Sequence, residues 1–227
     1  MKVVATTLGE TLGDLLSMTW DLDYTLSLGI TFLFFLIILL IQLKSHKFSS
    51  PIYWLVIVAT TTLGTEISDF MDRTFGLGYT LGSVVLFTAL ISVLYFWKRN
   101  EGKLEIYPIY KPKVELYYWV AILLSNSLGT AFGDYLSDIL GLPYFIGAMV
   151  TSAVILVVAL LHYKTKINYI LLFWVAFIFT RPFGATFGDL LTKSSESGGL
   201  NLGTLASTIV SIAILSILLI ISNKKES

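Results

Sequence analysis

The sequence contains no cysteine, two histidines and few charges. Without cysteine, disulfides, thiolate metal sites and cysteine nucleophiles are excluded. Neither His46 nor His162 has a partner at His-x-x-x-His or Glu-x-x-His spacing, so zinc and di-iron sites lack a ligand set. Both histidines fall at cytoplasmic span ends and read as solvated or interfacial. Charged residues make up 13% of the 227, against about a quarter in soluble domains. The formal net charge is zero, which removes the electrostatic case for nucleic acid. The N-terminal "MKVVATTLGETLGDLL" has neither the long apolar core nor the small-residue cleavage site of a signal peptide. Hydrophobic residues dominate instead, at 56%, with a mean hydropathy of +0.81.

That hydrophobicity is arranged in runs. Apolar stretches of about 17–25 residues suit a bilayer core of roughly 30 Å. Eight are present, near 3–19, 26–43, 51–70, 79–97, 116–135, 144–162, 168–190 and 202–222. Lipid cannot satisfy backbone hydrogen bonds, and runs this long exceed barrel strands, so the expected fold is an all-α bundle of eight membrane helices. The first is the weakest because it holds Glu10 and Asp14. Twelve basic residues fall at one set of connections: Lys2, Lys44, Lys47, Lys98, Arg99, Lys103, Lys111, Lys113, Lys164, Lys166, Lys224 and Lys225. The opposite connections hold only Arg73 and Lys193. This bias predicts that both termini are cytoplasmic.

Four copies of one phrase organise the chain: "LGETLGDLL" from Leu8, "LGTEISDFM" from Leu63, "LGTAFGDYL" from Leu128 and "FGATFGDLL" from Phe183. In each, an aspartate follows the first glycine by five residues, giving Gly9/Asp14, Gly64/Asp69, Gly129/Asp134 and Gly184/Asp189. Trp54, Trp119 and Trp174 stand ten residues before the glycine in three copies. A second landmark is read at Gly29, Gly82, Gly147 and Gly203, at the start of the following helix. Each copy therefore holds two spans, and even-span repeats relate by an axis along the membrane normal. The expected units are 1–50, 51–100, 116–167 and 168–222, with a basic cytoplasmic linker at 101–115 and a tail at 223–227. Whether the four motif helices surround one axis or form two pairs is left open by the sequence.

The Trp-x9-Gly-x4-Asp spacing, the "GLGY" turn and "TRPFGATFGDLL" resemble a family of bacterial multi-pass membrane proteins built from four tandem two-helix repeats of unknown function. The resemblance spans essentially the whole chain. It implies the fold and assigns no activity. A first-copy tryptophan would fall just before Met1, so the first helix is expected to be short at its start or to begin unusually.

Within the motif, Gly9/Gly13, Gly129/Gly133 and Gly184/Gly188 are G-x-x-x-G pairs, and Gly64/Ser68 is the small-residue version. Such pairs let two helix backbones approach closely. Spacing of four also sets a polar stripe on each motif helix: Thr6–Glu10–Asp14, Thr61–Thr65–Asp69, Asn126–Thr130–Asp134 and Arg181–Ala185–Asp189. Glu66 adds a sixth acid. A charge at a membrane-helix centre costs about 2.5–3.5 kcal/mol on insertion scales, and such groups face the bundle interior. Six acids against Arg181 alone cannot all be paired, and Arg181 is expected to pair with Glu10 or Asp189. The aspartates lie near the outer boundary, with Glu10, Glu66 and Arg181 deeper.

The leading expectation is a transporter or channel for small cations or protons. Its path would be Glu10, Asp14, Glu66, Asp69, Asp134, Asp189 and Arg181, with Asn126, Thr65 and Thr130. The alternative is a non-transporting scaffold or sensor whose polar stripes only hold helices together. An intramembrane enzyme is disfavoured because no nucleophile or metal-ligand set accompanies the acids. No cofactor is expected; the partners are the lipid bilayer and small cations or protons, and an oligomer is allowed. The tryptophans, with Tyr53 and Tyr118, read as a cytoplasmic aromatic belt.

Overall fold

The computed structural model describes residues 1–45 and 48–226, the last three as backbone only. His46 and Lys47 lie outside the described residues. Eight α-helices follow one another: α1 Lys2–Asp14, α2 Tyr24–Lys44, α3 Ser50–Asp69, α4 Gly78–Glu101, α5 Pro112–Asp134, α6 Tyr144–Lys164, α7 Tyr169–Thr192 and α8 Thr204–Glu226. No strand occurs among the described residues. Local chemistry sets the boundaries. Proline stands in the first turn of α3 and α5, where its missing N–H has no intrahelical acceptor to lose. The Asn168 side chain caps α7 by accepting from Ile170 N at 2.8 Å. Gly102, at φ +80°, ends α4 in the left-handed conformation.

The odd-numbered helices form a closed ring: α1 packs on α3, α3 on α5, α5 on α7, and α7 back on α1. The even-numbered helices stand outside it. Each packs on the inner helix of the next repeat, α2 on α3, α4 on α5 and α6 on α7, and α8 closes the cycle on α1. The four repeats thus share one axis, which decides between the ring and the two separate pairs.

Glycine makes the ring tight. A Cβ on Gly64 would sit 2.8 Å from Asn126 Cβ and 2.9 Å from the backbone nitrogen of Ser127. Gly9 meets Thr61, Gly129 meets Arg181 and Gly184 meets Thr6 in the same way. The first glycine of every copy therefore receives the first stripe residue of the next helix. The second small residue repeats the pattern at Gly13 against Thr65, Gly133 against Ala185 and Gly188 against Glu10, while Ser68 is buried at its own turn. The outer-helix landmark is different from the sequence expectation. Ser27, Gly82, Gly147 and Ser207 are the buried small residues, whereas Gly29 is exposed. The glycine spacing misled because burial on α2 and α8 follows serine.

Polarity is inverted relative to a soluble protein. Inner helices bury threonine, asparagine and carboxylates, while the outer helices expose Leu33, Val84, Leu156 and Ile209. Among the described residues five helices, α2, α4, α6, α7 and α8, are long and apolar enough to cross a membrane. This is the composition of an integral membrane protein. Helices α1, α3 and α5 are more polar because neighbours, and not lipid, cover them.

At the end of the ring where α3, α5 and α7 begin, the interior is aromatic. Trp119 and Trp174 are buried, and Trp97 meets Trp174 edge-on at 5.7 Å. The expected membrane belt is thus a packed cluster at two of its three tryptophans; Trp54 is partly buried. Trp174 is covered by Trp97 and Tyr118, and Trp119 by the segment after α4. It folds back and inserts Tyr107 and Ile109, with Tyr107 stacked on Tyr53 at 4.7 Å. Buried Glu115 accepts from Gln42 at 3.2 Å, Tyr107 at 3.3 Å and Trp119 at 3.3 Å. Burial, followed by the Glu115 carboxylate, raises the Tyr107 hydroxyl above its ordinary range, so it stays a donor.

Candidate functional site

The stripe residues stack as layers along the ring axis. Arg181 dominates the first. Its fully buried guanidinium reaches all three other inner helices. Nη1 donates to Thr6 O at 3.1 Å, and Nη2 lies 2.8 Å from Glu10 Oε2, 3.3 Å from Thr61 O and 2.7 Å from Thr130 Oγ1, with Thr65 Oγ1 also in contact. The 2.8 Å contact to Glu10 is an ion pair between two buried groups. Thr65 and Thr130, expected to line a path, are here ligands of the arginine. Asn126 turns into the α3–α5 seam, donating to Thr60 Oγ1 at 3.1 Å.

Beyond Arg181 the four aspartates come together. Asp14, Asp69, Asp134 and Asp189 line one cavity with Glu10, and all five are buried. Its volume is about 20 Å³, near that of one water site. Carboxylate oxygens of Glu10, Asp134 and Asp189 lie within 4.8 Å of one another. Two cations that the sequence placed in outer loops join them. Lys193 Nζ bridges Asp14 at 2.9 Å and Asp189 at 3.3 Å, and Arg73 Nε approaches Asp69 at 3.9 Å. The five acids on the axis therefore face three bases, Arg181, Lys193 and Arg73, a correction to the count of one. Sequence reasoning missed the pairs because Arg73 and Lys193 follow helix ends. Yet each stands four residues after an aspartate, the spacing that signals an ion pair on a helix.

Two carboxylate sites stay unbalanced. Asp134 has no ion pair among the described residues, and Asp69 Oδ2 is buried without a hydrogen-bond partner. Glu66 is buried too, but it does not belong to the cavity. It lies beside Ser27 of α2, on the face of α3 turned to the outer helix. One residue past Thr65 is about 100° of helix rotation, enough to remove Glu66 from the axis.

The backbone changes character at the same level. Directly after Asp14, Asp69 and Asp134 the helices widen into one π turn, Leu15–Thr19, Phe70–Thr74 and Tyr135–Ile139. Each is closed by an i→i+5 bond, Trp20 N to Leu15 O at 2.9 Å, Phe75 N to Phe70 O at 3.0 Å and Leu140 N to Tyr135 O at 3.1 Å. Such turns re-aim the side chains around them and recur at functional sites. The fourth copy keeps α7 regular through Thr192 and places Lys193 instead.

Towards the aromatic end the same four-residue register continues as Lys2, Ile57, Ile122 and Phe177. Ile57 and Ile122 are fully buried, and Lys2 Nζ sits 3.3 Å over the Phe177 ring. The Tyr53 and Tyr118 hydroxyls meet at 2.9 Å beyond them. An acidic cavity at one end of the axis is thus closed at the other by apolar and aromatic side chains together with the buried Lys2 ammonium.

The family described as Repeat of Unknown Function (DUF347) matches the chain at residues 1–48, 52–103, 117–168 and 172–226. The protein belongs to this family. Each DUF347 match holds one inner and one outer helix, so the family repeat is the structural unit of the ring. No curated protein and no solved structure matches the chain.

Proposed function

We propose that the protein is a transporter of small cations or protons in the bacterial cytoplasmic membrane, with eight spans and both termini on the cytoplasmic side. The observation that carries this reading is the meeting of buried carboxylates from all four repeats on one axis, three of them within 4.8 Å. Oxygens that close repel unless a cation or proton shares them. Arg181 and Lys193 serve Glu10 and Asp189, and Asp134 is left to bind what is carried. Closure of the axis by Ile57, Ile122 and Phe177 favours a transporter over an open channel. The lysine and arginine bias supports the orientation, and the inner helices, screened from lipid by the outer ones, support counting them as spans. The reading is non-enzymatic.

One observation favours the scaffold alternative: Arg181 bonded to three neighbouring helices is what a purely structural staple would make. Proteoliposomes loaded with pH- and ion-sensitive dyes separate the two. Wild-type protein should carry flux above empty vesicles, and Asp69→Asn with Asp134→Asn should abolish it without lowering the detergent melting temperature. Unchanged flux in that variant removes the transport reading. A large fall in melting temperature, with no ion-dependent stabilisation of the wild type, supports the scaffold.

A further inference from the structure

The ring leaves a groove of about 990 Å³ between α4 and α7, floored by α5. Its walls are apolar along most of their length, with Phe87 and Ile91 on α4, Phe132 on α5 and Phe179 on α7. From Val84 to Lys98 the α4 wall runs about 21 Å at 1.5 Å per residue. That exceeds one leaflet, roughly half of a 30 Å core. The groove changes character at one end only. There Lys98 and Lys103 line it, just past the apolar run of α4, where a spanning helix would meet lipid headgroups.

The repeats supply an internal comparison. Advancing one repeat around the axis gives a second groove of about 760 Å³, between α6 and α1 and floored by α7. The walls correspond residue by residue: Phe132 with Phe187, Ile91 with Leu156 and Val84 with Met149. Among the described residues no lysine or arginine lines the second groove. In the register that aligns Gly82 with Gly147, Tyr163 takes the place of Lys98. Fold symmetry therefore accounts for the concave apolar wall and not for its basic rim. Lys98 has no ion pair among the described residues, and Lys103 has only an exposed contact with Glu105 at 3.4 Å. Exposed pairs of that kind hold little energy, so both ammonium groups can accept an anion.

We propose that this groove binds a phospholipid with an anionic headgroup, its acyl chains lying between α4 and α7 and its phosphate held by Lys98 and Lys103. The occupant is a lipid because apolar walls of leaflet depth and a cationic rim at headgroup level match its two halves. A second copy of the chain would need an acid at that rim. Each basic side chain near an anionic membrane surface contributes about a factor of five in binding, so the two together contribute about thirtyfold.

The full-length protein, delipidated in neutral detergent, tests this with phosphatidylglycerol against phosphatidylcholine. Phosphatidylglycerol should raise the melting temperature and remain bound by native mass spectrometry, because a ligand of the folded state stabilises by mass action. Lys98→Gln with Lys103→Gln should weaken its binding about thirtyfold. Val175→Trp should displace it by filling the groove, and Met149→Trp in the second groove should leave it unchanged. Equal stabilisation by phosphatidylcholine, or undiminished binding by the double lysine variant, overturns the proposal. So does a lipid-independent dimer that Val175→Trp dissociates, because the groove would then hold a second copy.

Discussion

Replacing Arg181 with methionine lowers the unfolding free energy by about 3–5 kcal/mol, the range for removing one partner of a buried ion pair. The cost follows from what remains. Glu10 is 3% exposed and would lose its ion-pair partner, while Thr130 Oγ1 and the carbonyls of Thr6 and Thr61 would lose a donor. Methionine keeps the bulk beside Gly129, so loss of charge and hydrogen bonding is measured without a cavity. Adding Glu10→Gln should restore part of the stability, because the uncompensated charge is gone. Thermal or denaturant melts of both variants in one detergent read the effect directly. Wild-type stability in the single variant would show that the arginine does not tie the four helices together.

Gly184→Leu and Gly64→Leu disrupt the ring itself. Overpacking a tight interior costs about 1–3 kcal/mol when side chains can give way. Here the obstacles include backbone: a Cβ at 184 would lie 2.8 Å from the carbonyl carbon of Thr6, and one at 64 would lie 2.9 Å from Ser127 N. The helices would have to separate, so each variant should fall at the upper end of that range or beyond. Gly29→Leu is the control, since nothing lies within 4 Å of its Cβ position and the glycine faces outward. It should stay within about 0.5 kcal/mol of wild type. Equal melting of all three variants would mean that the G-x-x-x-G contacts are not what holds the inner helices.

Much of this architecture is legible in the sequence because it repeats. Four registers of glycine and aspartate mark the inner helices, and the spacing of four that makes a stripe also makes the layers. The cyclic closure is not legible, because no local pattern states that α7 returns to α1. Glu66 shows a limit of another kind. Proximity to Asp69 in sequence suggested a shared path, but one residue of helix rotation turns it to α2. The tryptophans look like belt anchors until Tyr107 covers Trp119 and Trp97 covers Trp174, tertiary effects that composition does not record. Arg73 and Lys193 look like loop charges, and only their distance of four residues from an aspartate marks them as its partners.

The claim on which the site rests is that the first and last repeats meet, closing four carboxylate-bearing helices around one axis. Thr19 and Thr204 report on that meeting. Their hydroxyls lie 2.6 Å apart at the exposed mouth, although 185 residues separate them in sequence. The chain contains no cysteine, so Thr19→Cys with Thr204→Cys places the only two thiols in the molecule. Oxidation in native membranes should give rapid, intramolecular cross-linking, read as one band that stays joined after cleavage of the connection between α4 and α5. Uncross-linked protein, or disulfides only between separate chains, would contradict the ring.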